Sequence, residues 1–122
     1  MTVTVLLSFS LNVKAQDIPE DDEVIVIDVT QNTTETGPQR SISPIRAVYH
    51  TVFSFIEIDF LIDMGEVVIR QTNLTSGNSS CTQVSSSIVE RMHMPVLFGA
   101  GFYCIEFIKE DGSDYIGFFS VE

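Results

Sequence analysis

The two histidines and two cysteines of this sequence, His50, His93, Cys81 and Cys104, have the chemistry of zinc ligands or strong nucleophiles. A structural zinc site usually takes pairs of ligands two to five residues apart, and no two of these four lie that close, so no zinc site is expected. Nucleophilic catalysis needs a Ser or Cys beside a His base that is oriented by an acid. Serines are frequent at positions 76, 79, 80, 85, 86 and 87, but they fall in a polar stretch without a Gly-x-Ser-x-Gly elbow and read as surface serines. Glu57 and Asp59 are a carboxylate pair in principle. They alternate with Ile56, Ile58 and Phe60, which sends them to the solvent side, where no desolvation would raise a pKa for acid catalysis. The run Asp17, Glu20, Asp21, Asp22 and Glu23 has oxygens enough for Ca²⁺, yet it lacks the Asp-x-Asp-x-Asp-Gly spacing and distal Glu that close a calcium shell, and it reads as a solvated charge run. No catalytic residue, cofactor or metal is therefore assigned, and a non-enzyme is expected. A hydrolase is the minor alternative, to be dropped if broad substrate screening stays silent and no pocket gathers His50 or His93 with an acid.

Two further groups carry weaker signals. Cys81 and Cys104 are candidates for one disulfide, which would close a loop of about 20 residues and add about 2 to 4 kcal/mol; the other reading is two separate thiols. Phe102, Phe118 and Phe119 form a candidate contact patch. Adjacent Phe118 and Phe119 cannot both face inward in a strand, so an exposed ring either packs under a neighbouring loop or meets a partner. Asn32-Thr33-Thr34, Asn73-Leu74-Thr75 and Asn78-Ser79-Ser80 match the glycosylation acceptor pattern, which loops of this composition produce cheaply.

The elements that must hold these residues follow from composition and period. The chain has 122 residues, 44% apolar and 19% charged, enough for one small domain with a core. Its net charge of −11 argues against nucleic acid or an anionic membrane as partner, since both require Lys and Arg to neutralise phosphate. Residues 3 to 13 are a mostly apolar run without charge, followed by small residues at the −3 and −1 positions, Val13 and Ala15, of a signal-peptidase site before Gln16. Residues 1 to 15 are accordingly expected to be a signal peptide; the run is too short for a stable membrane span. No Lys or Arg precedes it, so a start upstream of Met1 is expected. Residues 16 to 23, with five acids, form an acidic leader, and the folded domain occupies residues 24 to 122.

Within the domain, Val24 to Val29 is a β-branched first strand, and Thr30 to Ser43 a long polar connection. Residues 52 to 60 alternate with Ile56, Ile58 and Phe60 inward. A break at Asp63-Met64-Gly65 leads into a strand with Val67 and Ile69 inward, a hairpin pattern. Thr72 to Thr82 reads as a loop and Gln83 to Val89 as a weaker strand. Residues 101 to 109 alternate with Tyr103, Ile105 and Phe107 on one face, and Asp111-Gly112 turns the chain into a last strand from Tyr115. No helical period runs longer than a turn or two after Gln16. Six or seven short strands separated by turn chemistry predict an all-β fold, two antiparallel sheets packed face to face. The buried Trp of antibody domains is absent.

Arg40-Ser41-Ile42-Ser43-Pro44-Ile45, Ile56-Glu57-Ile58-Asp59-Phe60 and Gly101-Phe102-Tyr103-Cys104-Ile105 together resemble, in order and spacing, a family of small secreted Bacteroides-type domains of unknown function. The resemblance covers about 100 residues, rests on generic sandwich motifs, and implies an immunoglobulin-like β-sandwich. The chain departs from the pattern between Ser85 and Phe98, where Glu90-Arg91-Met92-His93-Met94 replaces a short turn and leaves the fifth strand unassigned. The Gly-x-Tyr pattern also resembles C-terminal sorting domains of exported bacterial proteins, but those end in basic residues and this sequence ends Ser120-Val121-Glu122.

These readings lead to an exported protein, periplasmic, on the cell surface or secreted. It is expected to be a non-enzymatic binding or adhesion-type module for a protein or glycan. The alternative is a structural or assembly module that pairs through an open edge strand, so that the chain is either a monomer or an edge-strand homo-oligomer.

Overall fold

The computed structural model describes residues 22–32 and 43–122. The expected signal peptide, residues 16–21 of the leader, and residues 33–42 with the start of the Arg-Ser motif lie outside the described residues.

Strand formation follows the period-two pattern. Strands β3 (Ile45–His50), β4 (Phe55–Phe60), β5 (Glu66–Asn73) and β8 (Gly101–Lys109) each put one set of alternating side chains in the interior. Ile56, Ile58, Val67, Ile69, Tyr103, Ile105 and Phe107 are all fully buried. Around them come β1 (Val24–Ile27), β2 (Thr30–Gln31), β6 (Ser79–Ser85), β7 (Arg91–Pro95) and β9 (Asp114–Val121). All pairings are antiparallel. One sheet has the order β1-β3-β4-β7 and the other β2-β9-β8-β5-β6. The inner faces of the two sheets share a single core, in which Phe60 meets Phe107 edge to face across the layers.

Nine strands are described where six or seven were expected, for three physical reasons. The first strand splits: Val24–Ile27 pairs with β3, then the chain crosses at Asp28 and Val29 to add Thr30 and Gln31 to the other sheet. The segment left unassigned is a true strand, β7, with Met94 buried and Met92 packed against the core, while Arg91, His93 and Pro95 point outward. The polar stretch expected as one long loop is mostly a hairpin, since β5 continues to Asn73 and β6 begins at Ser79.

Candidate functional site

The two outer sheet faces carry different chemistry. On the five-stranded sheet, Phe102 and Phe118 are diagonal neighbours across β8 and β9, because Cys104 opposes Phe118 and Phe102 opposes Ser120. Their rings stack with centroids 5.8 Å apart and planes 5° from parallel, yet they remain 46% and 50% exposed. Phe119 does not belong to this patch, contrary to the sequence reading. Strand alternation turns it into the core, where it stacks on Tyr103 at 5.1 Å and lies 5.3 Å from Tyr49.

The same face holds both cysteines, unpaired. Cys81 opposes Arg70 and Cys104 opposes Thr72, so β5 runs between them. Two strand spacings put their α-carbons about 10 Å or more apart, beyond the roughly 7 Å between α-carbons that a disulfide spans. The candidate bridge is thus corrected to two thiols of unlike surroundings. Cys81 is exposed; burial, with Glu106 beside it acting in the same direction, pushes the Cys104 thiol up to about 11.

On the outer face of the four-stranded sheet, residues distant in sequence form a polar ladder that the sequence reading missed. His50 Nδ1 lies 3.2 Å from Asp22 Oδ2, and its Nε2 lies 3.1 Å from Glu57 Oε1. Arg91 reaches both Glu57 and Asp59, and Arg46 donates to Asp59 at 2.9 Å. The His50 ring stacks on Phe55 at 4.3 Å, and His93 packs on the same ring at 4.8 Å. Glu57 and Asp59 do point outward as alternation requires, but not into open water: Asp59 is 8% exposed beneath the two guanidinium groups. Arg91 first, with Arg46 behind it, holds the Asp59 carboxyl below its ordinary 3.8 against the opposing effect of burial. The register β3–β4–β7 assembles this ladder by setting Arg46 opposite Asp59, and Asp59 opposite Arg91. Each strand's outward positions were legible one by one; which strands lie side by side was not.

The acid–histidine grouping that would favour a hydrolase therefore exists, but both ring nitrogens of His50 face carboxylates. The serines of the β5–β6 hairpin and the two cysteines belong to the other sheet. Among the described residues no three His, Cys, Asp or Glu side chains are gathered as a metal ion would require, and no helix is long and apolar enough to cross a membrane.

The segment between β7 and β8 is fastened from three buried side chains. Gln71 donates to the Pro95 carbonyl and accepts from the Leu97 amide. Asn73 donates to the carbonyls of Phe98 and Ala100 and accepts from the amides of Thr75 and Ser76. With its amide so engaged and no exposed surface, Asn73 is no accessible glycosylation acceptor. Tyr103 donates its hydroxyl to the Gly99 carbonyl at 2.6 Å and accepts from the Phe98 amide at 3.1 Å. A tyrosine near the start of the penultimate strand, bonded back to main chain a few residues upstream, is the tyrosine-corner arrangement of antibody-type sandwiches.

No family model matches the chain, and no curated protein does. Among solved structures it is similar to a DUF3244 family protein with an immunoglobulin-like β-sandwich fold from Bacteroides vulgatus. The TM-score is 0.64 at 15% sequence identity, over 82% of this chain and 100% of that one. The fold is an immunoglobulin-like β-sandwich. Among the described residues, β1 and β7 are the edges of one sheet and β2 and β6 those of the other, and the aromatic pair spans β9 and β8, the two strands next in from β2.

Proposed function

We propose that this immunoglobulin-like domain is an exported, non-catalytic binding module, working in the periplasm, at the cell surface or beyond it, and that it meets a protein or glycan through Phe102 and Phe118. The observation that carries the reading is the stacked pair itself. Two large apolar rings stay half-exposed side by side on a sheet face, whereas single exposed apolar residues are ordinary. Export is supported by the apolar run ahead of Val13 and Ala15. A non-catalytic role is supported by the engagement of both His50 nitrogens and by the distance, across the sandwich, from any thiol.

A photo-crosslinking residue at position 118, compared with one at the exposed Ile88, tests the patch in the native cell envelope, with a glycan array covering carbohydrate partners. A discrete adduct at 118 only, or array binding abolished by Phe118→Ser, supports the reading. Identical crosslinking at both positions, or none together with a silent array, overturns it.

A second reading, assembly through an edge strand, is favoured by β1. Its four residues are all apolar, and Val24 and Val26 are 54% and 72% exposed. A mass in dilute buffer above that of one chain, reduced to one chain by Val26→Lys, would establish it; a monomer at all concentrations would end it.

A further inference from the structure

His50 sits where the chain enters the sandwich, opposite Val24 at the start of the edge strand β1. Just before that strand, Asp22 and Glu23 fold onto the turn after β3. The Val52 amide donates to Asp22 Oδ1 at 3.0 Å, the Glu23 amide donates to Thr51 Oγ1, and the Thr51 amide donates to the Glu23 carbonyl. The His50 ring joins this entry segment to the sheet by contacting Asp22 with Nδ1 and Glu57 with Nε2. A carboxylate only accepts, so both contacts are hydrogen bonds only when both ring nitrogens carry a proton. A neutral ring keeps one N–H, and its other nitrogen then turns a lone pair toward a carboxylate oxygen little more than 3 Å away.

We propose that His50 is a proton-operated latch on the N-terminal edge strand: as imidazolium it ties the residues before β1 to the central strand β4, and on losing its proton it releases one of the two ties. Glu57 is held on a strand paired on both sides and has Arg91 3.6 Å away, so it keeps its place. Asp22 precedes a strand that, among the described residues, is paired on one side, and the entry segment is what loosens. The other charged or titratable groups around the ring come from β3, β4, β7 and the entry segment. Asp59 is taken up by Arg46 and Arg91, Glu23 belongs to the entry segment, and His93 packs on the Phe55 ring, on which His50 also stacks. His93 is the second imidazole on the Phe55 ring, which makes it the necessary control.

Amide hydrogen exchange of the whole chain, corrected for intrinsic rates, reads the latch at Val52 and Glu23. Between about pH 5.5 and 8, the interval in which histidines exchange their proton, protection at these amides is expected to fall by about two- to five-fold, the scale of one weak ion pair. Ile105 in the core serves as reference. His50→Gln is expected to abolish the pH dependence and His93→Gln to retain it. A flat wild-type profile, or the same slope in His50→Gln, overturns the proposal. Nitrogen chemical shifts of the wild-type ring need no variant: two N–H groups coupled to two carboxylates on the acid side support the latch, and an Nδ1 without a carboxylate partner overturns it.

Discussion

Gly117 of β9 lies directly under Ile27 of β1. A β-carbon at residue 117 would stand 2.6 Å from the Ile27 Cγ2 methyl and 3.3 Å from both the Asp28 carbonyl oxygen and the Val29 Cγ2 methyl. This is the place where the N-terminal chain leaves one sheet and crosses to the other, and it can cross so low only because the strand beneath has no side chain there.

Gly117→Ala is therefore expected to lift the crossing segment, or force Ile27 from its rotamer, at a cost of about 1 to 3 kcal/mol. The midpoint of urea unfolding should fall accordingly. An unchanged midpoint would mean that the crossing has room to spare and that β1 and β2 are only loosely attached.

The Tyr103 hydroxyl serves two main-chain groups at once, the Gly99 carbonyl and the Phe98 amide. Tyr103→Phe keeps the ring stacked on Phe119 but leaves a donor and an acceptor without partners in a part-buried segment. A loss of about 1 to 3 kcal/mol is expected, read as a lower thermal midpoint. If that midpoint holds, water replaces the hydroxyl freely and the corner does not fasten the β7–β8 connection.

How far the sequence carried depends on whether a feature was local. Ile56, Ile58 and Phe60, Val67 and Ile69, and Tyr103, Ile105 and Phe107 each announce a buried face within a few residues, and all face the core as read. The alternation that turned one of Phe118 and Phe119 outward was equally local, although it did not say which. The polar ladder was hidden because it depends on register between strands up to 69 residues apart in sequence, from Asp22 to Arg91. Strand β7 was obscured by its outward residues, Arg91, His93 and Pro95, which look like turn chemistry unless Met92 and Met94 are read as the inward set. The cysteines could not be resolved by spacing at all, since only the placement of β5 between them decides the matter.

That placement makes the two thiols respond differently to alkylation. With iodoacetamide near pH 8, the folded protein is expected to take one label, at Cys81, because Cys104 is buried and its thiol, at about 11, is almost wholly protonated there. The second label should appear only on unfolding. Mass spectrometry of the intact chain and its peptides checks this; equal labelling of both, or no labelling until a reductant is added, would contradict the two-thiol arrangement.

Asp59 provides the last test, because its carboxylate is held between Arg46 and Arg91 and its pKa lies below the ordinary 3.8. A carboxyl whose folded pKa is depressed binds its proton less readily in the folded chain than in the unfolded one. Its contribution to stability is then fully present above the unfolded value and disappears as pH falls through the folded value. Asp22 and Asp111 are shifted in the same direction, by the Val52 amide and by Ser113 respectively, so the acid limb of the wild-type curve alone does not isolate Asp59. The difference between wild type and Asp59→Asn does. The variant is expected to unfold at lower urea from about pH 5 to 7, where the wild-type carboxylate is ionised, and the gap between the two midpoints should close below 3.8 as the wild-type group takes up its proton. A gap that persists unchanged into acid would show that the amide fails for reasons of shape, and that the charge between the two arginines adds nothing to the fold.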